Sequence, residues 1–282
     1  MSFELRPLIP ALGAEVRGLD LREPLDGETI AAIGAAWHRY GILLFRDQQI
    51  SAEDQKRFTR YFGEFQRPRG GPRKNEDVLF IGNTEVDGIP ADIPLGAMQL
   101  HQDGAYGERP TKQSLIFALE LPSRGGDTLW ASLAYAYDTL PADVQARIVN
   151  LDIRFNFDSA TTIRDVSVWR KDIPDYTHPL VIAHPDTGRP LLFCNRLMAD
   201  AIVGLSQTES DELIAYLNAH IERPENVYQH VWRRGDFAIW DNLSTAHGRT
   251  DFDPAETRLL RRTTILGDRP VAYRDTVLSS RA

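Results

Sequence analysis

The sequence predicts a single domain of mainly β structure with flanking helices, an α+β chain whose strands close into an antiparallel jelly roll, the double-stranded β-helix. Three observations predict it. From Ser114 to Leu266 the apolar and β-branched residues fall in short runs divided by Gly, Pro, Asn and Asp, the pattern of antiparallel strands and turns. Helical periodicity interrupts those runs in two places and does not follow each strand, which disfavours a doubly wound parallel sheet. No repeat, low-complexity tract or Pro/Gly/Ser-rich linker divides the chain, so residues 1–282 read as one unit.

The opening stretches Phe3–Leu8 and Ala14–Leu21 read as extended. Gly27–Tyr40 predicts a helix because Ile30, Ile33, Ala36, Trp37 and Tyr40 fall at helical spacing. GILLF, Gly41–Phe45, is a short apolar run and reads as a buried strand. Ser51 then offers an N-cap to a helix reaching about Phe62, with Glu53 and Asp54 in its first turn, where carboxylates oppose the helix dipole. Between Gln66 and Met98 the periodicity fails. A basic Gly/Pro-rich stretch, QRPRGGPRKNED, and the loop-like TEVDGIPADIPLGAM flank one strand, Val78–Ile81. Long loops in a compact domain commonly cover a site, so residues 66–98 are candidate lid loops. The remaining strands are expected at Ser114–Glu120, Thr128–Ser132, Asp152–Phe157, Leu180–Ala183, Leu191–Cys194, Val227–Val231, Phe237–Trp240 and Arg258–Leu266, with His184–Pro190 as a turn. Helices are expected at Ala142–Leu151 and after the capping box Ser206-Gln207-Thr208-Glu209.

Bulk properties remove several functional classes. A net charge of -8 and a pI near 5.4 give no broad attraction for phosphate backbones, so nucleic acid is not an expected partner. A lone cysteine, Cys194, excludes an internal disulfide and a Cys-rich metal site, and fits a reducing compartment. The first residues lack a basic segment followed by a long apolar run, and Pro10 breaks LIPAL. Apolar runs such as Ile42–Phe45 fall far short of the roughly 20 residues a bilayer span needs, so a cytoplasmic protein without membrane contact is expected.

The chemistry begins at LHQDGAYGERP, Leu100–Pro110. If this segment is extended, His101 and Asp103 leave one face of the strand and converge. Of the seven histidines, His38 and His220 sit in expected helices, His178 and His184 flank a strand before a turn, and His230 lies in YQHVW. His247 differs, because it follows the strand FAIWD and the loop NLSTA, at a strand exit where Arg and Asp residues crowd. Two neutral imidazoles and one carboxylate form a 2-His-1-carboxylate set, which leaves three positions open on octahedral Fe(II), as oxygen chemistry requires. Zinc could take the same groups, but a hydrolytic zinc site needs one open position and no HExxH is present. A serine hydrolase finds no GxSxG to rest on.

In RLLRRTTIL a period of two puts Arg258, Leu260, Arg262 and Thr264 on one face, and Leu259, Arg261, Thr263 and Ile265 on the other. Guanidinium groups on an inward face require anions, because desolvating an unpaired charge costs several kcal/mol. Parity alone leaves open which face is inward.

HQD at His101–Asp103, GGDTLWAS at Gly125–Ser132 and WDN(x)4HGR(x)8RLLRRTTILGDRP from Trp240 to Pro270 resemble the taurine dioxygenase/TfdA family of Fe(II)- and 2-oxoglutarate-dependent dioxygenases. The likeness spans nearly the whole chain, from GAEVRGLDL and ILLFRDQQIS onward. It implies that His101, Asp103 and His247 hold Fe(II), and that Arg258 and Thr128 bind the distal carboxylate of 2-oxoglutarate, with O2 as the other cosubstrate. By the same resemblance Arg262 takes the anionic head of a small organic substrate, and the assembly is a dimer or tetramer. Three positions bear on the substrate. Ala97 stands where taurine-specific members have asparagine, Leu100 where they have tryptophan, and Met198 near an expected aromatic contact. These departures point away from taurine, toward another sulfonate, a sulfate ester or an aryloxy or other carboxylate. Hydroxylation of such a substrate, in some cases with cleavage, would release succinate and CO2. Asp103 excludes a halogenase variant, in which the carboxylate ligand is missing. The alternative is a non-catalytic jelly-roll protein that keeps the pocket to bind a metal and a small acid.

Overall fold

The computed structural model describes residues 3–68, 73–92, 96–156 and 175–274. The chain opens with the antiparallel pair β1 (Glu4–Ile9) and β2 (Leu12–Arg17). Helix α1 (Gly27–Tyr40) starts where the Asp26 side chain accepts the Thr29 N–H, and it stops at Gly41, whose φ of 71° lies in the left-handed region glycine tolerates. Its expected stripe is the buried one, with Ile33, Ala36 and Trp37 facing inward. All of β3 (Ile42–Phe45) is buried, and α2 (Ala52–Arg60) is opened by a reciprocal capping box between Ser51 and Asp54.

Within the expected lid stretch, residues 69–72 and 93–95 lie outside the described residues; the rest carries β4 (Leu79–Gly82) and a small hairpin, β5 (Glu85–Val86) with β6 (Ile89–Pro90). There follow β7 (Met98–His101), β8 (Thr111–Glu120), β9 (Thr128–Ser132), α3 (Leu133–Asp138), α4 (Ala142–Ile148) and β10 (Asp152–Phe155). Phe157, expected to end the last of these strands, is outside the described residues. Then come β11 (Tyr176–Pro179), β12 (Val181–Ala183), β13 (Pro190–Leu192), β14 (Ala199–Ile202) and α5 (Gln207–Ile221). The chain continues through β15 (Val227–His230), β16 (Phe237–Asp241), β17 (Thr245–Arg249), β18 (Leu259–Leu266) and β19 (Val271–Ala272).

The expected jelly roll forms from two facing sheets. One has seven strands in the order β1-β2-β3-β16-β8-β18-β4, and the other has four in the order β15-β9-β17-β7. Strand alternation sorts the side chains into layers. On the seven-stranded sheet Leu43, Phe45, Leu115, Phe117, Phe237 and Ile239 face helices α1 and α2, packing with Ile33, Trp37 and Phe58. Their alternates, Leu44, Ile116, Ala238, Trp240 and Leu260, meet Trp130 and Trp232 in the layer between the sheets. The four-stranded sheet turns Leu100, Ala131 and Ala246 to an outer core under α3 and α5. His101 and His247, adjacent to Leu100 and Ala246 in sequence, therefore point into the layer between the sheets. Among the described residues no helix is long and apolar enough to cross a membrane.

The sequence reading differs from the structure in particular places. Helix α3 and strands β11 and β14 are additional, and α4 ends at Ile148, short of Leu151. His247 lies inside β17 and not at a strand exit. The expectation of one buried and one solvated face on β18 also gives way. Both faces are buried, because α2 covers the face that carries Arg261.

Candidate metal centre

Register brings the triad together. On adjacent strands β7 and β17, His101 and His247 are directly paired, and their rings stand 4.3 Å apart. Asp103 follows β7 by two residues and returns its carboxylate to both. His101 Nε2 lies 3.7 Å from Asp103 Oδ1, and His247 Nε2 lies 3.4 Å from Asp103 Oδ2. One ligand atom from each of the three falls within 4.8 Å of the others.

The protonation states suit a divalent ion. His101 Nδ1 sits 2.9 Å from the Gln99 carbonyl; a carbonyl only accepts, so Nδ1 carries the proton and Nε2 keeps its lone pair toward the cluster. Burial, joined by the neighbouring His101, pushes His247 down to about 3, which keeps its imidazole neutral. Burial alone would raise the Asp103 carboxyl, but the Arg262 guanidinium overrides it and holds the group well below the usual carboxylate range. Arg262 Nη2 contacts Asp103 Oδ2 directly and donates to Ser114 Oγ at 2.7 Å, while its buried Nε has no partner. Two neutral nitrogen donors and one carboxylate, converging between the sheets, fit iron of the facial-triad kind.

A second set of residues fits a dicarboxylate. Arg258 immediately precedes β18, on the face it shares with Arg262, four residues and about 13 Å of strand away. Its side chain is buried, with 2% exposure; Nε donates to the Gly126 carbonyl at 3.0 Å, and Nη1 has no partner. Burial, with the nearby Arg249 charge adding to it, pushes this arginine down to about 9. A charge so desolvated, with one end unpaired, calls for an anion. The paired glycines of GGDT explain themselves here. Gly126 has φ +65°, and a Cβ on it would stand 2.7 Å from Arg258 Nε, so only glycine admits the guanidinium so close. Thr128 Oγ1 accepts the Trp232 Nε1–H at 2.9 Å, which leaves the threonine proton free to donate.

The structure thus brings together His101, Asp103, His247 and Arg262, and buries Arg258 against Gly126, two residues before Thr128 opens β9. The two substrate-side positions fall apart. Ala97 is exposed, one residue before β7, whereas Met198 is buried in the outer core with Leu100. Ser114, Gly126, Trp232, Asn242 and Arg249 were not singled out from sequence. For Arg249 a signal existed: two residues beyond His247 on one strand it shares that histidine's face, and its buried guanidinium donates to the Gly96 carbonyl at 2.7 Å. The other histidines hold structure. His184 bonds Asp241 Oδ2 at 2.6 Å, His230 bonds Asp236 at 3.0 Å, His178 and His220 bond main-chain carbonyls, and His38 pairs with Asp186.

Comparison with known proteins agrees with this geometry. Residues 4–264 match the family described as Taurine catabolism dioxygenase TauD, TfdA family. An alpha-ketoglutarate-dependent sulfate ester dioxygenase of Pseudomonas putida is 30% identical, over 96% of this chain and 92% of its own length. An alpha-ketoglutarate-dependent 2,4-dichlorophenoxyacetate dioxygenase of Cupriavidus pinatubonensis is 31% identical, over 95% of this chain and 99% of its own. The crystal structure of a taurine dioxygenase from Burkholderia xenovorans superposes with a TM-score of 0.81 at 31% identity, covering 96% of this chain and 92% of that one. With facing sheets, a converged His-Asp-His set and a family match across nearly its whole length, the chain belongs to the TauD/TfdA family of dioxygenases.

Proposed function

We propose that His101, Asp103 and His247 hold the iron, that Arg258 and Thr128 take the distal carboxylate of 2-oxoglutarate, and that Arg262 receives the anionic group of a small organic substrate. As a member of its family the chain is a 2-oxoglutarate-dependent non-haem iron dioxygenase, with O2 as the other cosubstrate. When bound, iron with 2-oxoglutarate and O2 supplies the oxidising chemistry that hydroxylates a substrate C–H and releases succinate and CO2. The protein's share is binding, orientation and exclusion of water. A guanidinium fork fixes a carboxylate through two parallel N–H bonds, so Arg258 sets the angle at which the diacid lies against the triad. Arg262 stays anchored on Asp103 and Ser114 while its unpartnered Nε turns to the substrate.

One observation carries the reading: a buried arginine with an unpaired end, on the strand face whose other arginine meets the triad. A sulfate ester, a sulfonate and an aryloxy carboxylate each offer Arg262 one anionic group beside an apolar body. Ala97 would border that body, and Met198, packed behind Leu100, would shape its apolar wall at second hand. The 66–98 stretch is the proposed cover, supported by the grip of Arg249 on the Gly96 carbonyl. The same reading has residues 1–282 acting as one domain, in the cytoplasm, as a dimer or tetramer; sedimentation as a monomer at micromolar concentration would remove that last element. Oxygen uptake and succinate formation across a panel of alkyl sulfates, sulfonates and aryloxy acids test the whole. Substrate-dependent succinate formation from at least one class is expected. A protein that binds 2-oxoglutarate yet turns over with none would return the reading to a non-catalytic binder.

A further inference from the structure

The connection between β16 and β17 contains a side chain whose every hydrogen-bonding group is used on the backbone around Asp103. Asn242 is fully buried. Its Oδ1 accepts the Asp103 N–H at 2.8 Å, and its Nδ2 donates to the Asp103 carbonyl at 3.0 Å and to the Thr111 carbonyl at 2.7 Å. The Thr111 N–H bonds the same Asp103 carbonyl at 3.1 Å, and the Asn242 N–H bonds the Lys112 carbonyl at 3.0 Å. The loop from Asp103 to Thr111 is thereby closed at its neck by one amide. The neighbouring residue shapes the other side of the connection: Asp241 Oδ1 accepts the N–H groups of Leu243 and Ser244 at 2.8 and 3.0 Å. His247 follows three residues later, in register with His101.

Asp103 lies beyond the last paired residue of β7, so no sheet ladder fixes its backbone. A carboxylate there would swing with its loop, whereas a facial ligand set demands one geometry. The geometry points to Asn242 as the positioning residue for the metal carboxylate: it replaces the missing ladder for Asp103, from the same three-residue connection that delivers His247. The inference rests on the reading of Asp103 as a metal ligand. Groups that orient metal ligands in this way are commonly worth roughly 10- to 100-fold in metal affinity.

The protein supplies a matched control. Asn226 is equally buried, and it clamps Ser132 in the same manner: Oδ1 accepts the Ser132 N–H at 3.2 Å, and Nδ2 donates to the carbonyls of Ser132 and Ile221 at 3.1 and 2.8 Å. Mn(II) alone is titrated into the full-length metal-free protein and followed by electron paramagnetic resonance, with Co(II) visible spectra and thermal melts alongside. Asn242→Ala should weaken Mn(II) about tenfold or more and shift the Co(II) bands. Asn226→Ala should lower the melting temperature comparably but hold Mn(II) affinity within about twofold. Should Asn242→Ala not fold, Asn242→Ser, whose hydroxyl cannot span both Asp103 groups, carries the same expectation. Equal Mn(II) affinity in wild type and Asn242→Ala, or an equal loss in Asn226→Ala, overturns the assignment. Asp103→Ala separates the two levels. If it loses Mn(II) and Asn242→Ala does not, only the clamp fails; if it retains Mn(II), the ligand reading fails as well.

Discussion

Replacing Arg258 by Met should improve one property of the protein while abolishing another. The guanidinium is buried, makes one hydrogen bond, to Gly126, and leaves Nη1 without an acceptor. The fall of this arginine to about 9 corresponds to a penalty on the order of 5 kcal/mol against its charged form in the folded protein. The sign follows from the direction: the charge is disfavoured by folding, so the whole penalty is present below about pH 9 and fades as pH rises past that value. Met removes the charge and sacrifices one bond worth roughly 1 kcal/mol, together with an unsatisfied Gly126 carbonyl costing about 1–3 kcal/mol. The ligand-free variant should therefore be no less stable than wild type in urea at pH 7. Its affinity for 2-oxoglutarate should collapse, because taking one partner from a desolvated charge pair costs about 3–5 kcal/mol, roughly 100-fold to several thousand-fold. Calorimetric titration of 2-oxoglutarate into the anaerobic Mn(II)-loaded protein measures that second quantity. A variant that loses several kcal/mol of stability yet binds 2-oxoglutarate within threefold of wild type would refute the argument, by showing Arg258 to be a structural group.

Three further expectations use the same site and its surroundings. Thr128→Val removes the free hydroxyl proton and should weaken 2-oxoglutarate about tenfold by the same titration, while Thr128→Ser should restore most of the affinity. Gly126→Ala forces a Cβ against Arg258 at a positive φ; urea unfolding should show a loss of about 1–3 kcal/mol, and the titration a weaker 2-oxoglutarate complex. Burial pushes His178 down to about 4 from an ordinary 6.5, so the unfolded chain binds its proton more readily and stability is lost as pH falls through that window. At pH 5 the loss is about 2 kcal/mol, and the gap between urea midpoints at pH 7 and pH 5 should narrow in His178→Gln.

What could be read from the sequence follows from where its signals are local. The α1 stripe, the Ser51 cap and the apolar run of β3 are each encoded within a few residues of themselves, and each forms as read. Helix α3 was invisible because its six residues make less than two turns and follow β9 without a break. Strand β17 hid for another reason. All five of its residues are buried, with polar Thr245, His247 and Arg249 toward the layer between the sheets and only the small Ala246 and Gly248 on the other face, so no apolar or β-branched run marks it. The metal triad was legible as an HxD pair plus a distant histidine, but its closure depends on the β7–β17 pairing, which no local pattern specifies. Asn242 acts on the backbone of Asp103 and Gly126 on the side chain of Arg258, each more than a hundred positions away. Residue type alone carries no trace of such a partner.

The three arginines of RLLRR show how far parity goes and where accounting for nitrogens must take over. Arg261 lies opposite Arg258 and Arg262 in parity, yet it too is buried, with its charge pushed down to about 10. It differs in being answered from within the fold: Nε donates to Gln55 Oε1 at 2.8 Å, and Nη2 to the carbonyls of Ile50 and Ser51 at 2.8 and 3.0 Å. An arginine that meets acceptors of its own fold is structural, whereas Arg258 and Arg262 each keep a buried nitrogen with none. Arg261→Met should therefore behave inversely to Arg258→Met. Losing three bonds and stranding their acceptors on α2 and the turn before it outweighs the roughly 3 kcal/mol of desolvation relieved, for a net cost on the order of 2 kcal/mol of stability, with 2-oxoglutarate affinity unchanged within twofold. The same urea and calorimetric measurements on both variants decide it, and two variants with matching profiles would show that an unpaired buried nitrogen does not mark the ligand in this strand.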